Sequence, residues 1–219
     1  RTLWDFERNS METFRELFKK HNLQTKGVPS LEEFLNTYRP LNLELWEEYK
    51  KEKITKDFLK YRRFEVTLNE FGIDDLSLAK AMGEDYVALS PMQNHLIPGS
   101  VEIIEYLFDR YSLHIITNGF EEVQNEKMIR KGLGKYFKTT IVSEEAGSKK
   151  PEPGIFQYAL NKAQAKAFES LMIGDDAEVD IRGALNAGID QVYFNPDKLD
   201  CPFRPTYTVN HLLELKDFL

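Results

Sequence analysis

This chain predicts an α/β fold, a doubly wound parallel sheet in a Rossmann-like core, with a wholly helical region placed ahead of most of it. Three observations carry the prediction. From Pro98-Gly99 onward, short apolar runs alternate with stretches whose apolar residues recur at three and four spacing, the pattern of parallel strands joined by helices. Three of those runs end in polar turns, at the carboxyl ends of strands, where open α/β sheets bind ligands. From about Ser10 to Leu96 the pattern is helical throughout.

The elements follow in order. In the first region, helical spacing covers residues 5–21, 30–38, 43–64 and 75–89, punctuated by Asn22, Gly27, Pro29, Pro40, Gly72 and Pro91. A helix at 100–110 then leads to a strand at 113–117 and a helix at 121–131. A strand at 139–143 precedes a helix at 153–163, and a strand at 170–173 precedes a helix at 177–187. A strand at 191–194, an edge strand at 206–209 and a final helix at 211–218 complete the chain. Internal repeats and low-complexity tracts are absent from the sequence.

The most informative stretch is Leu171 to Ile189. An apolar run ends in Gly174-Asp175-Asp176, and Asp180 follows five residues after Asp175. Two unit charges about 4 Å apart repel by roughly 4 kcal/mol at an effective dielectric near 20. A hard ion such as Mg²⁺ removes that cost, since it takes a few carboxylates together with water and phosphate oxygens. The spacing of Asp175 and Glu178 fits a capping box equally well, and cap and ligand are compatible roles. Upstream, Thr117-Asn118-Gly119 ends an apolar run just before a helix, a place where a hydroxyl and backbone N–H groups suit an anion. It is also an ordinary strand-to-helix turn. Lys150 stands between a strand end and Pro151, with Pro153 opening the next helix. An ammonium there can neutralise a phosphoryl oxygen, whereas Lys149 reads as a solvated neighbour.

Hydroxyl, lysine and acid cluster arise in chain order, each after an apolar run. With the phrases TNG, KKPEPGIF and GDD-x-x-x-D-I-x-GA-x-x-AGI, the chain resembles the haloacid dehalogenase-like hydrolase superfamily, in its phosphatase branch. The likeness runs over about 120 residues, from Pro98 to the C-terminus. It implies a core of residues 1–7 and 98–219, interrupted by a helical cap at 8–97. It also implies Thr117 as the second motif, Lys150 as the third, and Asp175 with Asp180 as the fourth. Thr117, the backbone N–H of Asn118, Gly119 and Lys150 would hold phosphoryl oxygens. Asp175 would ligate Mg²⁺ directly, Asp180 through water or in support, and Asp176 less directly. The family opens with D-x-D-x-T, of which Arg1-Thr2-Leu3-Trp4-Asp5 resembles only the tail, Thr2 being its threonine and a further substrate-binding residue. The nucleophilic Asp and the acid/base Asp are expected upstream of Arg1. Either the sequence begins part-way into the native protein, or the chain is a variant without the nucleophile and serves in binding. The buried central strand that carries those acids favours the first, because losing it would orphan backbone groups at about 1–3 kcal/mol each.

The activity implied is that of a Mg²⁺-dependent phosphomonoester hydrolase working through an aspartyl phosphate. The acidic fourth motif argues against dehalogenation. T-L-W-D-F with TNG resembles nucleoside 5′-monophosphatases, and a sugar-phosphate phosphatase or phosphomutase is the alternative. Trp4, Phe6, Trp46, Tyr61, Phe64 and Arg62 or Arg63 read first as packing groups of the cap and second as substrate contacts. The net charge of −7 over 219 residues argues against a nucleic-acid polymer as partner, leaving a small phosphorylated metabolite. Lone Cys201 forms no internal disulfide, which suits a reducing compartment. No apolar run approaches 18 residues. A cytoplasmic protein with no membrane contact, monomeric or homodimeric, is expected.

Overall fold

The structure, a computed structural model, describes residues 2–219. Arg1, where the expected 1–7 segment and the first-motif tail begin, lies outside the described residues. The chain forms two compact units: Glu7–Gln93, and a second made of Arg1–Phe6 with Asn94–Leu219.

The helical unit uses four helices: α1 (Phe6–Lys20), α2 (Leu31–Lys50), α3 (Lys56–Glu70) and α4 (Leu76–Leu89). Three starts are capped by side chains, Ser30 accepting from Glu33 N at 3.1 Å, Thr55 from Phe58 N at 3.2 Å and Asp75 from Leu78 N at 2.9 Å. Two boundaries differ from the sequence reading. Helix α2 runs straight through Pro40, and the break falls at residues 51–55, inside the stretch expected to be one helix. Leu35 and Tyr38 before the proline and Tyr49 after it are all buried. Packing on both sides holds the turn together, and Pro40 itself is exposed. The core gathers Phe14, Phe34, Tyr38, Phe64 and Tyr86, with ring centroids 4.7 Å apart for Phe14–Tyr38 and 5.2 Å for Phe14–Tyr86. Phe64 is fully buried in that core, and Arg63 is buried beside it with its guanidinium 4.6 Å from the Tyr86 ring. Both are therefore packing groups. Arg62 is held by Glu65 at 2.7 Å.

The α/β unit starts with α5 (Ser100–Phe108), then β1 (Leu113–Thr117), α6 (Glu121–Arg130), β2 (Phe137–Val142), a short α7 (Ser143–Ala146) and α8 (Pro153–Ala163). It continues through β3 (Leu171–Gly174), a π-helical turn at Ala177–Ile181, α9 (Arg182–Asn186), β4 (Asp190–Phe194) and β5 (Tyr207–Val209), ending in a 3₁₀ segment at Leu212–Asp217. All pairings are parallel: β1 with β2, and β3–β4–β5 in that order. Alternate residues feed opposite faces. Leu171, Ile173, Val192 and Phe194 join Ile103, Leu107 and Leu215 on one side. Met172 and Ile116 join Ile155, Phe156 and Ala184 on the other. Helices thus cover both faces, as a doubly wound parallel sheet requires. Among the described residues, the ladders form two runs, of two and three strands. The strand expected at 139–143 begins instead at Phe137, and Ser143 already belongs to α7. The expected α-helix at 177–187 opens as a π turn, and the last helix is 3₁₀.

Near the crossings between units the chain pairs with itself inside the α/β unit. Trp4 bridges Leu96 antiparallel, Asp5 N donates to His95 O at 3.2 Å and Ile97 N to Leu3 O at 3.0 Å. Residues 94–97 belong with the α/β unit, so the division falls after Phe6 and after Gln93 where the sequence puts it after 7 and 97. No helix among the described residues is long and apolar enough to cross a membrane.

Candidate active site

Two strand ends, those of β1 and β3, supply polar groups, and so does the turn between α7 and α8 that carries Lys150, which the sequence places directly at a strand end. Thr117 is the last residue of β1, and its Oγ1 accepts from Gly119 N at 3.0 Å, folding the turn back on the strand end. A Cβ on Gly119 would lie 2.3 Å from Nε2 of Gln124, the end of a flexible side chain that packs over the turn. Between them, Asn118 clamps the next element. Its Nδ2 donates to Lys150 O at 2.9 Å and its Oδ1 accepts from Lys150 N at 2.8 Å. Both backbone groups of Lys150 are thereby satisfied by one side chain, which fixes where the lysine leaves the chain.

Lys150 points from that clamp to the turn after β3. Its Nζ donates to Asp180 Oδ1 at 2.5 Å, and the two residues are 8% and 5% exposed. A buried, charge-assisted pair of this kind resists disruption: removing one partner costs about 3–5 kcal/mol through the charge left behind. Asp180 Oδ2 accepts from Asp176 N at 3.2 Å. The π turn makes this possible, since Asp176 O accepts from Asp180 N at 2.9 Å and from Ile181 N at 3.2 Å, bringing Asp180 back beneath the strand end. Wide turns of this type recur at functional sites. Gly174 provides the room, because a Cβ there would stand 2.3 Å from the Cβ of Asp180.

The acids thus divide their work. Asp176 Oδ1 caps the turn, accepting from Glu178 N at 3.0 Å and Val179 N at 2.9 Å. The capping residue is therefore Asp176, one later than the Asp175–Glu178 box that the spacing suggests. Asp180 was expected near a metal, yet both of its oxygens are engaged within the protein, by Lys150 and by Asp176 N. Asp175 is half-buried and accepts from Thr2 Oγ1 at 2.8 Å. No group of three His, Cys, Asp or Glu side chains is arranged to hold a metal among the described residues. Of the expected residues, Asn118, Lys150, Asp180 and Asp176 are joined in turn by hydrogen bonds, Thr117 bonds to Gly119 within the turn that carries Asn118, and Thr2 meets Asp175, the residue adjoining Asp176.

The sequence reading passed over Tyr193. It lies on β4 in register with Gly174, and its hydroxyl is pushed above its usual pKa by burial and then by the negative charges of Cys201, Asp176, Asp175 and Asp197. A tyrosine near the carboxyl end of β4, the strand that follows the acidic turn of β3, is the one trace it leaves in the sequence. His114 is ordinary, as expected: its Nδ1 lies 2.7 Å from Thr139 Oγ1, and burial followed by Lys138 lowers its pKa.

Comparison with known proteins places this geometry. The family described as haloacid dehalogenase-like hydrolase matches residues 2–188. The pyrimidine 5′-nucleotidase PynA of Streptococcus pneumoniae is 30% identical over 223 residues, covering 100% of this chain and 91% of that protein. The pyrimidine 5′-nucleotidase YjjG of Escherichia coli is 34% identical over 185 residues, covering 83% and 80%. The magnesium-bound crystal structure of the HAD-hydrolase YfnB from Bacillus subtilis superimposes with a TM-score of 0.89 at 30% identity, covering 99% of this chain and 93% of that one. The chain is a member of the haloacid dehalogenase-like hydrolase family.

Proposed function

We propose that the protein hydrolyses small phosphomonoesters in a Mg²⁺-dependent reaction, with nucleoside 5′-monophosphates, pyrimidine ones first, as the substrate class. The observation that carries the reading is the Asn118–Lys150–Asp180 linkage. It sets the Lys150 ammonium against the acidic turn of β3 and ties the lysine's backbone to Asn118, the residue that follows the strand-end hydroxyl of Thr117. That is a cationic and hydrogen-bonding seat for a phosphoryl group, next to a carboxylate. Two pyrimidine 5′-nucleotidases match this chain over most of its length, helical unit included, and this favours nucleotides over sugar phosphates.

The donor chemistry fits magnesium. Asp175 offers a hard carboxylate at the end of β3, and Mg²⁺ commonly takes one or two carboxylates, completing its shell with phosphate and water oxygens. Asp175 would hold the ion, which supplies charge neutralisation to a transferring phosphoryl group. Thr117 Oγ1 and the N–H of Asn118 would bind phosphoryl oxygens, and Lys150 would offset their growing charge. Asp180 keeps the ammonium aimed, and Asp176 shapes the turn that presents Asp175. The phosphorylated aspartate of the family's route would come from the first motif, whose threonine is Thr2. With so little covalent work left to these residues, positioning and electrostatics carry most of the rate.

The test is a panel of phosphate esters assayed with and without Mg²⁺, using protein with its native N-terminal sequence and its Asp175→Asn variant. The panel holds pyrimidine and purine monophosphates, sugar phosphates, phosphoglycolate and a chromogenic ester. Turnover should need the metal, favour pyrimidine nucleotides and vanish in Asp175→Asn. A normal rate for that variant at saturating Mg²⁺ would refute the assignment.

A further inference from the structure

Lys127 sits in the second half of α6, the helix that follows the Thr117–Gly119 turn, and is only 9% exposed. Its Nζ stands 4.7 Å from the centre of the Trp4 ring, and Trp4 is 8% exposed. A buried ammonium is costly unless something replaces its water. Here the face of an indole does so, the strongest of the aromatic partners for a cation. One turn on, Lys131 Nζ donates to Asn94 O. Helix α6 thus grips both chain passages that pair as Leu3–Asp5 and His95–Ile97. The gripped segment is tied elsewhere too: Ser100 Oγ donates to Leu3 O at 3.1 Å, and two residues before Trp4 the Thr2 hydroxyl meets Asp175.

We propose that Lys127 is a positioning residue for the reaction, its ammonium holding Trp4 and so setting the Thr2 hydroxyl against Asp175. The inference rests on the reading of Asp175 as the ion-holding carboxylate. It goes beyond that reading in assigning the hold to a group that titrates. Burial pushes the Lys127 pKa down to about 8, and burial is its sole cause. The charged and titratable groups on the surrounding elements are Glu121, Glu122, Glu126 and Arg130 on α6, Lys131 just after it, and Asp5 and His95 on the paired passages. Glu126 is taken by Arg130 at 2.5 Å, and burial, with none of these charges, accounts for the Lys127 shift. The ammonium is therefore present at neutral pH and lost as pH rises past its folded value. The neutral amine has no charge to offer the ring.

The experiment uses protein with its native N-terminal sequence in a Trp46→Phe background, which leaves Trp4 as the single tryptophan of the two in this chain. Trp4 fluorescence and the half-saturating Mg²⁺ concentration for turnover are followed from pH 7 to 9.5. Lys127→Met and Lys127→Arg are compared with the parent, each checked for folding by circular dichroism. In the parent, fluorescence should titrate near pH 8, and half-saturating Mg²⁺ should rise about tenfold through that midpoint, the order of one cation–π contact. Lys127→Arg should show neither transition and keep the low value. Lys127→Met should show neither and keep the high one. A flat parent fluorescence, the same midpoint in Lys127→Met, or a Lys127→Met half-saturation equal to the parent's at pH 7 overturns the inference. Turnover indifferent to Mg²⁺, with the indole still titrating, would sink the Asp175 reading instead and take the catalytic role of Lys127 with it, so the two failures are told apart.

Discussion

Asn118 does more for the site than any residue of its size. Its amide meets both backbone groups of Lys150, so the lysine's direction is set before Asp180 engages its ammonium. Asn118→Ala leaves a backbone donor and acceptor of buried Lys150 without those partners. Stability should fall by about 1–3 kcal/mol in a urea titration. Turnover should fall by about a hundredfold, the usual result of an ångström-scale misplacement. A variant with native stability and rate would show that the clamp is incidental. Thr117, Lys150 and Asp175 were legible in the sequence because each follows an apolar run and carries the chemistry in its own side chain. The clamp was not, because an asparagine bonding to backbone 32 residues away leaves no mark on spacing. Lys127 was hidden for a related reason: a lysine among the charges of a helix reads as solvated until its neighbours in space are known.

At the scale of elements, local chemistry decided some boundaries and packing the others. Helix α8 occupies the predicted residues 153–163, since Pro153 at its first position fixes the start. Strand β1 likewise keeps its predicted ends. Pro40 shows the opposite case. A proline inside a helix costs roughly 3 kcal/mol relative to alanine, yet buried Leu35, Tyr38 and Tyr49 hold α2 together across it. Pro40→Ala should therefore stabilise the protein, by about 1–3 kcal/mol in chemical denaturation, without altering activity. A loss of stability would mean that the proline shapes α2 in a way the packing depends on. The π turn at Ala177–Ile181 was illegible for a different reason. Its sequence has an ordinary helical spacing, and only the need to bring Asp180 back under Gly174 toward Lys150 widens it.

For the molecule as a whole, alternation of apolar runs and helical stretches was enough to read a parallel sheet covered on both faces, and the uniformly helical stretch was enough to read a separate unit. The limits of the units were less legible. Residues 94–97 look like a linker in sequence, but they pair with Leu3–Asp5, and backbone pairing leaves no compositional trace. The residues that meet across the sheet come from three segments far apart in the chain, and their meeting is the central claim: one seat for a phosphoryl group and its divalent ion at the strand ends. Anomalous diffraction from crystals grown with Mn²⁺, as a stand-in for Mg²⁺, and inorganic phosphate tests it most directly. The manganese peak should fall on the Asp175 carboxylate, with phosphate oxygens on Thr117 Oγ1, the N–H of Asn118 and Lys150 Nζ. A metal peak away from Asp175, with phosphate absent from Thr117 and Lys150, would contradict it.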